Sequence, residues 1–200
     1  FYSGDFSVFS QRTIEGAKLP KLRPDVAIVE ATYGDRLHTN REIEEKALID
    51  LINEAIDQNG KVLIPAFALG RAQEVLLILK GAMNKGSLKK VKVYVYGMVR
   101  DVNRAYLQNP LYLKQSLAKK ILKGIEPFYD DNIQPIMNKE DREKILQGKE
   151  PCIIISSSGM LTGGPSQYYA EKIASLDNGY IVITGYQDEE SPGRQLLQLL

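Results

Sequence analysis

The sequence predicts an α/β fold with a mostly parallel sheet flanked by helices on both faces. Three observations carry this. Apolar runs of strand length alternate with stretches of helical period along the chain. Four of these runs end in a short loop: residues 62–67 before Gly70 and Arg71, 91–96 before Gly97-Met98-Val99-Arg100, 152–155 before Ser156-Ser157-Ser158-Gly159, and 180–184 before Gly185. The runs are continuously apolar, as strands covered on both faces are.

The elements follow in order. Residues 1–6 form a short aromatic segment broken by Ser3 and Gly4. Residues 25–32 read as a buried strand after the turn at Pro24. Thr39-Asn-Arg-Glu42 has capping-box spacing, and Ile43, Ala47, Leu48, Leu51, Ile52, Ala55 and Ile56 recur at helical period until Gly60 closes the helix. A strand over 62–67 and a helix over 71–83 come next, then a strand over 91–96. Residues 99–108 and 111–123 read as helices separated by Asn109-Pro110, residues 124–138 as irregular, and 139–147 as a short charged helix. Strand, loop and helix recur at 151–175 and again at 179–200. No repeat of fixed period is present. The first 35 residues do not fit the alternation and are expected to form a separate layer, with a boundary near Gly34 to Thr39.

A chain of 200 residues, 44% of them hydrophobic, can bury a sizeable core. Its longest apolar stretches fall well short of the ~20 residues a membrane helix needs, so no membrane partner is expected. Cys152, the single cysteine, lies in an apolar run and reads as a small buried hydrophobe; it permits no internal disulfide and fits a reducing cytoplasm. With 26 Lys and Arg against 25 Asp and Glu, the net charge is +1. A globally basic nucleic-acid binder is not indicated, but a local positive edge is allowed. The absence of an initiator methionine and the apolar last residues lead us to expect a piece of a longer protein.

Four places can hold chemistry. Asp5, after Gly4, suits either an Asx turn or a metal ligand. Glu30 ends a run expected to be buried, where a carboxylate needs a partner or a raised pKa; pairing with Arg36 or Arg41 is the structural reading, an active-site carboxylate the functional one. His38, the only histidine, reads as solvated or structural. Arg71 opens a helix and either pairs with a carboxylate or marks an anion site. The segment from Ser156 to Ser166 is rich in hydroxyls and glycines, and backbone amides in such a loop can cradle phosphate. It lacks the Gly-Lys-Ser/Thr ending of a nucleotide P-loop and the spaced glycines of a dinucleotide site. One histidine and one cysteine cannot hold a catalytic metal unaided, and no Ser-His-Asp set is convincing.

In order along the chain, Ser3-Gly-Asp-Phe6, Val29-Glu-Ala-Thr-Tyr-Gly-Asp-Arg36, Ile64-Pro-Ala-Phe-Ala-Leu-Gly-Arg-Ala-Gln-Glu74 and Ser157-Ser-Gly-Met-Leu161 resemble the β-CASP branch of metallo-β-lactamase-fold nucleases. That branch includes the nuclease subunits that cleave messenger-RNA precursors, their archaeal and bacterial relatives and, more distantly, ribonuclease J. The resemblance implies that residues 1–34 are the last strands of a metallo-β-lactamase αββα core. Residues 35–190 would be the Rossmann-like β-CASP cap, and 191–200 the start of a return to the core. RNA lies between core and cap in such enzymes.

By the same resemblance Asp5 matches an aspartate bridging two zinc ions, and Glu30 an acidic residue orienting a general-acid histidine. Arg71, Ser157, Ser158 and Gly159 match positions facing the cleft. The family's HxHxDH loop, a further metal-ligand histidine and two β-CASP histidines have no counterpart in this chain. It would hold one metal ligand of about seven and is expected to be inactive alone. The implied cofactor is a pair of zinc ions in the intact enzyme and none in this chain. The implied partners are RNA and the rest of the metallo-β-lactamase core, in the cytoplasm, with a homodimer left open. A non-catalytic scaffold paralogue and a DNA-processing relative are the alternatives.

Overall fold

The structure is a computed structural model that describes residues 1–35 and 37–199. Its centre is a five-stranded sheet in the order β3-β2-β4-β1-β5, with every pair parallel. The strands are β1 (Lys61–Pro65), β2 (Lys92–Tyr96), β3 (Ile133–Pro135), β4 (Cys152–Ser156) and β5 (Gly179–Ile181). The helices are α1 (Arg41–Asp57), α2 (Arg71–Lys85), α3 (Val99–Gln108), α4 (Gln115–Leu122), α5 (Glu140–Gln147), α6 (Gly164–Ile173) and α7 (Pro192–Leu197), with a 3₁₀ turn at Pro110–Tyr112.

Every residue of β1 and β4 is buried, which explains their unbroken apolar character. Their side chains alternate between two apolar clusters. Val62, Ile64, Ile153 and Ile155 face Ile52 and Ala55 of α1 and Leu76 and Leu79 of α2. Leu63, Cys152 and Ile154 face the opposite layer, with Tyr169 and Ile173 of α6. The register sets the functional edge. Pro65 and Tyr96 both align with Ser156, so the loops after β1, β2 and β4 leave the sheet at one level.

The structure corrects several local expectations. Residues 25–32 do not form a buried strand. Ile28 makes a single parallel bridge to Tyr2, and Val26 and Ile28 are 68% and 60% exposed. Nothing among the described residues covers this apolar segment. The stretch 124–138, expected to be irregular, contains β3, a three-residue edge strand too short to leave a periodic signal. The last strand spans 179–181 rather than 180–184. The cap of α1 is Asn40, whose side chain accepts from the Glu42 and Ile43 N–H groups, not Thr39. That helix ends at Asp57 with Gln58 as its cap; Asn59 beyond it takes the left-handed conformation at φ 53°, and Gly60 follows as a buried residue.

Candidate functional site

The loop after β1 and the first turn of α2 are built residue by residue from the Ala-Leu-Gly-Arg-Ala-Gln-Glu segment. Gly70 sits at φ 83°, a conformation costly for any residue with a Cβ. Its N–H donates to Gln73 Oε1 at 2.8 Å. Gln73, fully buried, returns its amide N–H to Ala68 O at 3.0 Å and to Asn103 Oδ1 at 2.8 Å. Asn103 in turn donates to the Tyr129 hydroxyl. This buried amide chain fixes where α2 starts, and so fixes Arg71 at its first residue, exposed at the rim. No side-chain hydrogen bond or carboxylate engages the Arg71 guanidinium among the described residues. The pairing with a carboxylate weighed from sequence is therefore not what Arg71 does.

The loop after β4 lies against the same edge. The Ser158 hydroxyl meets the Thr162 hydroxyl at 3.1 Å and accepts from the Thr162 N–H at 3.0 Å. Ser166 of α6 donates its hydroxyl to Ser158 O at 2.7 Å and its N–H to Ser157 O at 3.0 Å. Gly159 is buried and its backbone is pressed on the β1 loop: a Cβ there would stand 2.8 Å from Phe67 N and 3.1 Å from the Ala66 carbonyl carbon. The loop after β5 closes the third side. Gln187 donates to Gly159 O at 2.9 Å, and Phe67 lies under Gly185, where an added Cβ would be 3.6 Å from its ring. Phe67 is thus packed between the loops after β4 and β5.

Glu74 is the residue whose role the sequence did not reveal. It stands one turn after Arg71 and is 2% exposed. Its carboxylate accepts from Thr13 N at 2.7 Å and the Thr13 hydroxyl at 2.6 Å on one oxygen, and from Arg12 N at 2.9 Å and Arg41 at 2.5 Å on the other. Burial alone raises its pKa, but hydrogen bonds from Thr13, Arg12 and Arg41 outweigh it and hold the carboxyl below the usual glutamate range. Glu45 extends the network by pairing with Arg12 and Arg41. Lys114 adds two bonds, from its N–H to Thr13 O and from its ammonium to Gln11 O. Residues 11–13 are therefore held between the starts of α1, α2 and α4. The one available signal was a carboxylate inside the apolar face of an otherwise regular helix.

Asp5 and Glu30 fall in one loop cluster. The Glu30 N–H donates to Ser3 Oγ at 3.0 Å. The Glu30 carboxylate accepts from the Thr32 N–H at 2.9 Å. Bonds from the Thr32 N–H and hydroxyl, and from the Phe6 N–H beside Asp5, keep the Glu30 carboxyl below its ordinary range against a small opposing effect of burial. Glu30 is half-exposed, which corrects the expectation of a buried carboxylate, and Arg41 is committed to Glu45 and Glu74 instead. Arg36, weighed as a partner of Glu30, lies outside the described residues. Asp5 is exposed in a bend. His38 stacks obliquely on Tyr33, ring centres 4.3 Å apart. No hydrogen bond or ion pair joins the Asp5–Glu30 cluster directly to Arg71, Ser157 or Ser158 among the described residues.

No three His, Cys, Asp or Glu side chains gather into a metal site among the described residues. Asp5 is one exposed carboxylate and would offer a metal no more than one ligand, so the described residues of this chain do not by themselves fit a zinc pair. Cys152 is buried, and burial raises its thiol pKa, as an inert core residue requires. No helix among the described residues is long and apolar enough to cross a membrane.

Residues 72–196 match the family described as Beta-Casp domain. Over 199 residues the chain is 39% identical to transcription termination factor FttA of Pyrococcus horikoshii, covering 97% of this chain and 30% of that protein. The corresponding protein of Methanocaldococcus jannaschii is 36% identical over 198 residues, 98% of this chain and 31% of that one. That of a Lokiarchaeum species is 35% identical over 201 residues, with 98% and 31% covered. The chain therefore spans under a third of the length of these curated relatives. The matched segment runs from the second residue of α2 into α7, taking in the loops after β2, β4 and β5 but neither the loop after β1 nor Arg71, and by this match over more than half of its length the chain belongs to the Beta-Casp domain family.

Proposed function

We propose that this chain is the β-CASP portion of a metallo-β-lactamase-fold ribonuclease that acts on RNA during transcription termination, and that it forms one wall of the RNA cleft. The observation that carries the reading is the carboxyl edge of the sheet. An exposed guanidinium that has no carboxylate partner among the described residues, Arg71, stands at a helix start beside a loop bearing the Ser157 and Ser158 hydroxyls. A helix N-terminus, a free cation and clustered hydroxyls suit a phosphate and do not discriminate bases. The relatives named as termination factors supply the setting, since RNA is the nucleic acid that emerges there.

Within this reading Arg71 and the Ser157 and Ser158 hydroxyls hold backbone phosphates, and Gly159 supports them by packing on Ala66 and Phe67. Glu74 keeps residues 11–13, and with them the segment bearing Asp5 and Glu30, seated on the cap. Glu30, ionised and hydrogen-bonded, is suited to orient a neighbouring proton donor rather than to lose a proton itself. Asp5 fits a single zinc-ligand position completed by the rest of the protein, where the metal pair would supply an activated water. No step of a reaction follows from this chain alone, and catalysis belongs to the intact polypeptide in the cytoplasm. The uncovered apolar segment around Val26 and Ile28 suits burial against the remaining core.

The test is Arg71→Ala in the full-length protein. Binding to an unstructured single-stranded RNA weakens, and the slope of log affinity against log salt becomes shallower by about 0.7, the value expected for one lost phosphate contact on a single strand. An unchanged affinity with an unchanged slope removes Arg71 from the interface and the reading with it.

A further inference from the structure

We propose that Arg100 is a second phosphate-binding residue of this edge, placed so that one RNA strand crossing the sheet meets Arg100, then Ser157 and Ser158, then Arg71. The proposal rests on the RNA reading above and names a subsite within it.

The placement follows from register. β2, β4 and β1 are neighbours, and Tyr96, Ser156 and Pro65 end them at one level. Arg71 follows β1 and Arg100 follows β2, so the two lie on either side of the loop after β4. Two strand spacings separate β2 from β1, about 10 Å across the sheet. The loops after β2 and β4 touch. Gly97 takes φ 80°, and a Cβ there would lie 3.3 Å from Ser157 Oγ and 3.1 Å from Pro165 Cγ. Three residues later the chain has entered α3, and Arg100 stands in its first turn.

The chemistry of Arg100 is that of a cation lacking its counter-charge. The guanidinium lies 5.6 Å from the centre of the Tyr96 ring. It donates to Ile136 O at 2.7 Å and touches Met137 Sδ at 3.7 Å. Its Nε is buried without a hydrogen-bond partner, and no carboxylate pairs with it among the described residues. A half-buried guanidinium is expected to find an ionic partner. The first turn of a helix is also the wrong end of the dipole for a cation. The Tyr96 face offsets part of this deficit, and a phosphate at the rim supplies the rest.

Arg142 provides the contrast. It is enclosed by Tyr96, Tyr168 and Tyr169, with its guanidinium 3.8 Å from the Tyr168 ring centre. The first turn of its helix carries Glu140, Asp141 and Glu143. That setting repels an anion, so Arg142 fills the edge of the core while Arg100 is left for a ligand. Tyr96 has a guanidinium over its ring from each arginine.

The experiment measures RNA binding by the full-length protein between 50 and 200 mM salt, a range over which phosphate contacts dominate the change in affinity, with an unstructured oligouridylate as probe. Arg100→Ala is expected to reduce the salt slope by about 0.7, and Arg71→Ala with Arg100→Ala by about twice that. Arg100→Lys keeps the cation but not the fork that reaches Ile136 O; its slope stays at the wild-type value even if its melting temperature falls. A wild-type slope in Arg100→Ala, alongside a reduced slope in Arg71→Ala, makes Arg100 a strap between α3 and β3 and overturns this inference while the RNA reading stands. A lost slope in Arg100→Lys at unchanged melting temperature also overturns it. A wild-type protein with no salt-dependent RNA binding fails the RNA reading itself.

Discussion

At the scale of single residues, two carboxylates with similar sequence surroundings have different roles because their hydrogen-bond donors differ. Glu30 is served by Thr32 and Phe6 at a half-exposed bend. Glu74 is served by four donors from residues at least 33 positions away, in a site that excludes water. Truncating Glu74 leaves the Thr13 N–H and hydroxyl and the Arg12 N–H without an acceptor. We expect Glu74→Ala to cost about 3 kcal/mol or more in a denaturant titration. The pH dependence has a definite sign. A carboxyl whose folded pKa lies below its ordinary 4.5 stabilises the fold fully above that value and loses the contribution as pH falls through the lower, folded value. The stability gap between the wild type and Glu74→Gln should therefore be widest at neutral pH and narrow in acid. A gap that widens on acidification contradicts the assignment.

At the scale of elements, the carboxyl edge depends on loops that approach more closely than side chains would allow. Gly159 is the contact point: an added methyl would meet the Phe67 backbone nitrogen at 2.8 Å, and backbone cannot move aside as a flexible side chain can. Gly159→Ala is expected to destabilise the domain by about 1–3 kcal/mol. It should also weaken RNA binding without changing the salt slope, because it displaces the hydroxyl loop and removes no cation. A melting temperature equal to wild type would show that the two loops are not in contact. The element scale also explains which parts of the sheet were legible. β1 and β4 are buried on both faces and announce themselves as apolar runs, and α3 falls at the residues its pattern specifies. β3 has three residues, one of them proline, and owes its existence to pairing with β2. The segment 25–32 carries a strand-like pattern but finds only one bridging partner.

At the scale of the whole molecule, two regions differ in what covers them. Residues 61–65 and 152–156 lie under helices on both sides, whereas the segment around Val26, Ile28 and Val29 is open. Hydrogen exchange on this chain should show slow amides in β1 and β4 and fast amides over residues 19–27, with Arg12 and Thr13 protected by their bonds to Glu74. Equal protection across both regions would mean that the first layer is as firmly packed as the sheet. The sequence by itself determined the parallel α/β class, the loop-bearing edge and the family, because buried strands, glycine turns and helix starts are written in contiguous residues. Tertiary structure alone decided that Glu74 receives residues 12 and 13, that Arg71 is left without a carboxylate among the described residues while Arg41 takes two, and that Arg100 shares an edge with Ser157. Each of these depends on which distant groups the strand order β3-β2-β4-β1-β5 brings together, and local pattern carries no record of that order.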